Sequence, residues 1–455
     1  MRVRIEPTQG VRGLARVPGD KSIAHRWLIL AATALGPSEL RDLPPALDVR
    51  STARCLAALT PHARDALEGW ASSPGGLPDA DGFTFNKGEP RPGSSALVVS
   101  GQGRAGLQVP ASELDCGNSG TTMRLLSGVL ASCDFAAVLT GDESLRSRPM
   151  ERVAEPLRRM GATLETVDGR PPVSVRGGAL RGIRHVAPVP SAQVKSAVLF
   201  AGLEAQGETS VIEPASTRDH TERALAHLGA PVRVSGEGEV AIAAFRHRGF
   251  SARVPGDVSS AAFLVAAAAL TGGEVTIEGL GLNPSRTRFL AVMGRMGLRT
   301  EVRVTDTELG EPAGQLVVLP CEGLAGTTVG PDELPLVIDE VPVLAALAAH
   351  AAGDSWFLGA SELRVKESDR LGGLARMIRS LGGNAAVEGD DLVVAGGGLE
   401  GGRADSGGDH RMAMALCVAG LGARSPVEVE GVEAADVSFP GFVQTLRALG
   451  ARVGG

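Results

Sequence analysis

The sequence predicts an α/β protein of two domains, each built from three copies of one β/α unit. A duplicated segment is the first sign. V-P-G-D, an alanine-rich apolar stretch and a glycine begin at Val17 (VPGDKSIAHRWLILAATALG) and return at Val254 (VPGDVSSAAFLVAAAALTGG). Four looser copies of this plan are the second sign; they open near Asn118, Ser191, Asp339 and Asp409. The third is length, since 455 residues exceed what one hydrophobic core ordinarily holds.

Between these stretches a second helix type recurs, ending in Leu or Met and then Gly, as in PLRRMGATLE from Pro156 and VMGRMGLRTEV from Val292. The glycine suits a left-handed C-cap. The following segments, such as GGEVTIEGL at 272–280, alternate as half-buried strands do. The copy after Asp48 (VRSTARCLAAL) is degraded and runs into Gly/Pro-rich chain, so about 61–106 reads as an exposed insertion. The N-terminal strand is expected to join the C-terminal half. One domain would then comprise 20–255 and the other 1–19 plus 256–455, with a hinge pair at Gly19 and Gly256.

Composition excludes several classes. A net charge of -7 argues against a nucleic-acid surface, though a few focused arginines can still hold anionic substrates. The five cysteines are scattered with no C-x-x-C pair, which disfavours a disulfide framework or a zinc site. The most apolar stretch, 261–270, is far short of the roughly 20 residues of a membrane span. The opening MRVRIEP reads as a strand and not as a targeting segment, so a cytoplasmic protein is expected. Aromatics are only 3% with no tyrosine, so small side chains must do much of the packing between closely set helices.

Polar residues that break the repeat at its helix openings are the candidate chemistry. Lys21, Ser22 and Arg26 open the first copy, and Ser22 and Arg26 share a face near a helix N-terminus, where free N–H groups favour an anion. Asn118-Ser119-Gly120-Thr121 offers a close backbone approach at Gly120. Arg146 and Arg148 precede a helix expected to start at Pro149. Ser191, Ala192 and Gln193 begin another helix, and Thr217-Arg218-Asp219-His220 reads as a capped start. Lys366 and Arg370, at i and i+4, would repel unless an anion sat between them, and Glu367 lies beside both. Asp339 interrupts an apolar run, and Arg411 heads the last apolar helix. Each motif alone fits an ordinary cap or solvated face. Convergence of all six openings on one cleft would not.

In this order GDKSIAHR, GNSGTTMRL, SRP, SAQVKSAVL, RVKESDRL and DHRMAMA resemble the 5-enolpyruvylshikimate-3-phosphate synthase family. The resemblance implies a two-domain inside-out α/β barrel with helices packed inside. It implies transfer of the enolpyruvyl group of phosphoenolpyruvate to the 5-hydroxyl of 3-phosphoshikimate, with no metal or organic cofactor, by a monomer. By motif, Lys21, Ser22 and Arg26 correspond to shikimate-phosphate contacts, and Ser191, Ala192, Gln193 and Arg218 to the ester-phosphate group. Asp339 and Lys366 correspond to ligands of the ring hydroxyls. Gly120, Arg148, Gln193, Arg370 and Arg411 correspond to the phosphoenolpyruvate site, with Lys21 nearby. The implied catalytic groups are Asp339 as base, Glu367 as proton donor to the methylene carbon, and Lys21 at the departing phosphate. The sequence departs from many members at Ala192, where they carry serine, and at Val437, where they carry lysine. Two rivals stay open. One is the sister transferase acting on UDP-N-acetylglucosamine, which commonly uses a loop cysteine near the place of Cys116, though Cys116 in the DCGNSG strand end reads as structural and KSIAHR and DHRMAM favour shikimate phosphate; the other is a non-catalytic repeat protein.

Overall fold

The computed structural model describes residues 1–73, 96–236 and 238–454. Among these residues lie six sheets, each of three or four strands. Every sheet contains one parallel pair: Leu114–Asp115 with Ala136–Thr140, for example, and Thr328–Val329 with Ser355–Phe357. In four sheets the parallel strands flank an apolar helix in sequence, as a β/α unit requires.

The other two parallel pairs are exchanged. Arg12–Ala15 leads in sequence into the helix Lys21–Thr33 but pairs with Glu274–Gly281. Ser251–Arg253 leads into the helix Val258–Thr271 but pairs with Leu35–Arg41. The two V-P-G-D segments therefore cross. At the crossing Asp20 N–H donates to the Pro255 carbonyl at 2.8 Å, Asp257 N–H donates to that of Pro18 at 2.7 Å, and Gly19 and Gly256 form an antiparallel bridge. The N-terminal strand Arg2–Ile5 pairs with Val427–Glu430 and Val453–Gly454. Buried apolar side chains divide accordingly into two clusters. One draws on residues 3–17 and 258–451; the other draws on 23–254 together with Leu309.

Six helices fill the two cores: Lys21–Thr33, Gly120–Leu130, Ala192–Gly202, Val258–Thr271, Val341–His350 and His410–Leu421. Their apolar residues run round the whole circumference, the pattern of a helix enclosed on every side. Every residue of His410–Leu421 is buried. Small residues set the spacing. A Cβ on Gly128 would lie 2.1 Å from the Ala197 carbonyl oxygen, so the helices Gly120–Leu130 and Ala192–Gly202 meet almost backbone to backbone. Gly128→Ala is expected to lower unfolding free energy by about 1–3 kcal/mol through overpacking, read by chemical denaturation.

The amphipathic helices lie outside, and the glycines that follow them take the left-handed conformation, with Gly161 at φ 113° and Gly297 at φ 105°. The expectation of an exposed insertion over 61–106 needs correction at both flanks. Arg64–Ser72 is a helix packed on Leu47–Leu59 with Leu67 and Ala71 buried, and Leu97–Gln102 pairs antiparallel with Leu35–Arg41. The degraded copy thus completes its unit, because Leu56, Leu59, Leu67 and Val99 supply apolar surface the glycines and prolines obscured. The centre of the segment, 74–95, lies outside the described residues. Among the described residues no helix is long and apolar enough to cross a membrane.

Candidate active site

Side-chain caps fix where the inner helices begin. Asp20 accepts from Ile23 N–H at 3.0 Å, Ser119 from Thr122 N–H at 3.1 Å, and Ser191 from Val194 N–H at 3.4 Å. Asp409 accepts from Arg411 N–H at 2.9 Å and Met412 N–H at 3.4 Å. Side-chain contacts link these ends to one another and to the turn carrying Asp339: Arg26 joins the Ser22 and Ala192 openings, Gln193 reaches Thr121, and Arg218 and Arg411 reach Asp339. The sixth opening, that of Val258–Thr271, differs. It is filled by a buried network of Arg286 with Asp20 (3.4 Å), Asp257 (3.6 Å) and Glu340 (3.9 Å). That helix end therefore stabilises the crossing and presents none of the predicted site residues.

On one wall, Lys21 Nζ lies 3.1 Å from Asp48 Oδ2. Burial alone would raise the Asp48 carboxyl, but Lys21 and His25 bring it below its ordinary value. Arg26 is buried and spends four hydrogen bonds on protein. It donates from Nε to Thr221 Oγ1 (2.8 Å), from Nη1 to the Ser22 carbonyl (2.8 Å), and from Nη2 to Ser196 Oγ (2.8 Å) and the Ala192 carbonyl (3.4 Å). It thereby ties the Ser22 opening to the Ala192 opening, with the i, i+4 relation to Ser22 expected from the sequence. Gln193 receives Arg124 Nη1 at 2.6 Å on its Oε1 and donates to Thr121 Oγ1 at 2.9 Å.

Arg148 donates to Asn118 Oδ1 at 2.6 Å, next to Gly120. A Cβ at Gly120 would meet Arg124 Nη1 at 2.9 Å and Arg148 Nη1 at 3.6 Å, so the glycine leaves room for two guanidinium groups. Arg146 is not with them. It sits in a one-turn helix, Glu143–Arg146, and donates to Thr140 Oγ1 at 3.0 Å; the next helix starts at Glu151 and not at Pro149.

The opposite wall centres on Asp339. Arg218 reaches across the cleft, donating from Nη1 to Ser22 Oγ at 3.1 Å and from Nη2 to Asp339 Oδ2. Lys366 Nζ lies 3.9 Å from Asp339 Oδ1, Arg370 Nη1 3.8 Å from it, and Arg411 Nη2 4.0 Å from Oδ2. Arg411 Nη1 also donates to the Asp339 carbonyl at 2.7 Å. Lys366 and Arg370 are not two positions on one helix, as their spacing suggested. The helix starts at Arg370, with Asp369 as its cap, and Lys366 is in extended chain before it. The anion that reconciles the two charges is the protein's own Asp339.

Arg370 is 0% exposed and grips Asp409 with Nε (2.8 Å) and Nη2 (3.1 Å) while also pairing with Glu367 Oε2 at 2.8 Å. Its buried Nη1 makes no hydrogen bond.

The site is rich in desolvated cations. Burial, reinforced by Arg148 and Arg152, brings Arg124 down to about 10; burial, reinforced by Arg286, brings Arg218 to about 9. Lys366 falls to about 8 through burial, with Arg370 and Arg218 adding to the effect and Glu367 opposing it. Burial would raise the Glu367 carboxyl, but Arg370, His410 and Arg148 outweigh it and hold the carboxyl well below the ordinary range. His410 is depressed to about 3, mainly by burial and then by Lys21, so it is neutral at physiological pH.

Asp48 and Arg124 are the site residues that sequence reasoning passed over. Arg124 stands four residues after Gly120, one helical turn on, so the same i, i+4 argument used for Ser22 and Arg26 would have found it. Asp48 carries no local signal, since the copy that holds it departs from the repeat pattern. Cys116 is buried with its thiol raised well above the ordinary value, by a hydrogen bond to Cys55 and then by burial, which makes it unsuited to reactive-cysteine chemistry. Among the described residues no cluster of His, Cys, Asp or Glu has the arrangement to hold a metal ion.

Comparison with known proteins agrees with this geometry. The family model described as EPSP synthase (3-phosphoshikimate 1-carboxyvinyltransferase) matches residues 5–75 and 92–446. A 3-phosphoshikimate 1-carboxyvinyltransferase of Thermus thermophilus is 47% identical over 456 residues, covering 98% of each chain. That of Desulforamulus reducens is 42% identical over 451 residues, covering 98% of this chain and 99% of its own. The solved EPSP synthase of Acinetobacter baumannii superposes with a TM-score of 0.82 at 37% identity, covering 99% of both chains. With six β/α units, a crossed chain and a cation-lined cleft, the chain belongs to the EPSP synthase (3-phosphoshikimate 1-carboxyvinyltransferase) family.

Proposed function

We propose that this cleft transfers the enolpyruvyl group of phosphoenolpyruvate to the 5-hydroxyl of 3-phosphoshikimate, by addition and then elimination. The observation that carries the reading is charge. Lys21, Arg124, Arg148, Arg218, Lys366, Arg370 and Arg411 face Asp48, Asp339, Glu367 and Asp409, an excess of cations in a partly desolvated site. Two substrates that each carry a phosphate and a carboxylate supply the missing anions, and planar guanidinium groups suit both. The buried, raised thiol of Cys116 weighs against the UDP-N-acetylglucosamine transferase, for which a loop cysteine would have to react. Phosphate release measured separately with each acceptor tests the assignment. Release is expected with 3-phosphoshikimate; release only with UDP-N-acetylglucosamine would overturn it.

In this reading Ser22, Arg26, Ser191, Ala192, Gln193 and Arg218 surround the acceptor and its ester phosphate. Gly120, Arg124, Arg148, Arg370 and Arg411 surround phosphoenolpyruvate. The ester phosphate competes with Asp339 for Arg218, so acceptor binding draws that guanidinium away and frees the base. Asp339 then takes the 5-hydroxyl proton, the oxygen attacks the enol carbon, and Glu367 delivers a proton to the methylene carbon, giving a ketal. Glu367 next removes a proton from the new methyl group as the carbon–oxygen bond to phosphate breaks. Phosphate departs beside Lys21, and Asp339 passes the hydroxyl proton to it. Holding both substrates between two walls supplies the alignment. The bodies that close are taken as 20–255 and 1–19 plus 256–455. One chain supplies every named residue, so the enzyme is proposed to work as a monomer; the cytoplasm is its proposed compartment.

Glu367 is ionised in the free protein, so the acid role requires it to gain a proton. Bound anions both add negative charge beside it and compete for Arg370, and each effect raises a carboxyl. Formation of the ternary complex with an acceptor lacking the 5-hydroxyl is therefore expected to take up a proton at pH 8. Calorimetry in buffers of different ionisation enthalpy reads this directly. Lys366, at about 8, also takes up part of a proton as bound anions raise it, so Glu367→Gln should lower the uptake to the share Lys366 supplies; equal uptake in the wild type and Glu367→Gln would rule out the acid role.

A further inference from the structure

Beneath the acceptor side of the cleft lies a buried ion triad that none of the proposed steps uses. Lys195, on the helix Ala192–Gly202, places Nζ 2.7 Å from Glu213 Oε2 and 2.8 Å from Glu222 Oε1. The three side chains are at most 5% exposed. Glu213 follows the strand Thr209–Ile212 and so stands between two loops that are far apart in sequence. Its Oε1 accepts the Ser191 backbone N–H at 3.0 Å and the Thr217 hydroxyl at 2.8 Å, and its Oε2 is 2.7 Å from that hydroxyl. One carboxylate thus binds the residue that begins the Ser191–Gln193 turn and the residue immediately before Arg218.

The rest of the triad supports this geometry. A lone buried carboxylate would be too costly to keep ionised, and Lys195 supplies the counter-charge. Glu222 holds the other side of that ammonium, and its neighbour Thr221 accepts from Arg26 Nε and donates to Ser196 Oγ, each at 2.8 Å. The triad carries one net negative charge, and Arg26 is the adjacent buried cation, with Glu222 the largest electrostatic influence holding it protonated against burial. Ser191, Arg218 and Arg26 therefore hang on a single charged frame under the cleft floor.

We propose that Glu213 is a positioning residue for recognition of the acceptor's phosphate, setting the separation of the Ser191 turn and Arg218 through Ser191 N–H and Thr217 Oγ1. This rests on the reading of Ser191 and Arg218 as phosphate contacts. Glu213 touches no substrate itself; it acts by fixing two groups that do.

The experiment compares the affinity of the full-length enzyme for 3-phosphoshikimate with its affinity for shikimate, the latter measured by competition. Glu213→Gln keeps the size of the side chain and leaves Lys195 paired with Glu222, but it removes the charge that balances Arg26 and so by itself favours phosphate; Thr217→Val changes no charge and controls for this. Glu213→Gln is expected to reduce the phosphate-dependent affinity ratio about 10- to 100-fold, the range for charge-assisted hydrogen bonds. Shikimate binding and KM for phosphoenolpyruvate should stay within about threefold. Thr217→Val removes one arm of the bridge without touching the triad and should reduce the same ratio, whereas Thr217→Ser should restore it. A merely structural role would weaken both ligands and phosphoenolpyruvate alike, and that result would overturn the proposal. So would an unchanged ratio in both Glu213→Gln and Thr217→Val when Arg218→Ala lowers it. If Arg218→Ala also leaves the ratio unchanged, the phosphate-site reading itself fails, and the positioning role fails with it.

Discussion

Replacing Asp339 by Asn is expected to lower kcat by roughly 10²- to 10⁴-fold, the usual loss when a general base is removed. The side chain keeps its size, so the surrounding turn should persist. What changes is charge. Arg218, Lys366, Arg370 and Arg411 lie within 4.0 Å of the Asp339 carboxylate, and an amide no longer neutralises them. In the free enzyme Arg218 would be released from its cross-cleft pair, ready for the acceptor's phosphate. Affinity for 3-phosphoshikimate should therefore hold or rise while turnover collapses. Steady-state kinetics with a direct binding measurement separates the two. Full turnover in Asp339→Asn would remove Asp339 as the base, and a matching loss of affinity would recast it as a binding group.

Arg370→Ala should produce the largest combined loss of stability and activity. Arg370 is wholly buried and holds Asp409 through two hydrogen bonds, and Asp409 in turn caps the helix His410–Leu421. Removing the cation leaves a buried carboxylate without its counter-charge, a change that typically costs about 3–5 kcal/mol. Burial would raise the Asp409 carboxyl, but Arg370 brings it down to about 2. Because the folded value lies below the ordinary 3.8, this pairing stabilises the fold above that pH, and the contribution is lost as pH falls toward 2. Arg370→Ala should lack this contribution, so its deficit in denaturation free energy should be full at pH 7 and shrink as acid protonates Asp409 in both proteins. Arg370→Lys keeps the charge but not the fork. It should recover part of the stability and little of the phosphoenolpyruvate-dependent activity. A deficit independent of pH would mean that packing, and not the ion pair, carries the effect.

Some features of this protein were readable as pattern. The six inner helices showed themselves because a helix enclosed on all sides must be apolar all round, and because small residues are needed where helices touch, as at Gly128. The outer helices were marked by terminal glycines such as Gly161, which sit where other residues are strained. The unit containing Leu47–Leu59 and Leu97–Gln102 is hidden in the sequence because turn-forming residues between the two mask a strand whose partner, Leu35–Arg41, lies far back in the chain.

The site divides in the same way. Local sequence picked out the polar residues that break each repeat, and hence the candidates Lys21, Ser22, Arg26, Gly120, Gln193, Asp339, Lys366, Arg370 and Arg411, because a helix opening is a short-range feature. Only the tertiary structure decided what each faces. It set Asp339 between Lys366 and Arg370, joined Arg218 to Ser22 and Asp339 across the cleft, and paired Asp48 with Lys21. It also left the sixth helix opening to Arg286 and the crossing. These contacts join residues up to 266 positions apart, and their strength depends on burial that no short window records. The repeated unit is a property of sequence. The differences of charge between its copies are written there too; which charge meets which is set only once the chain has crossed over itself.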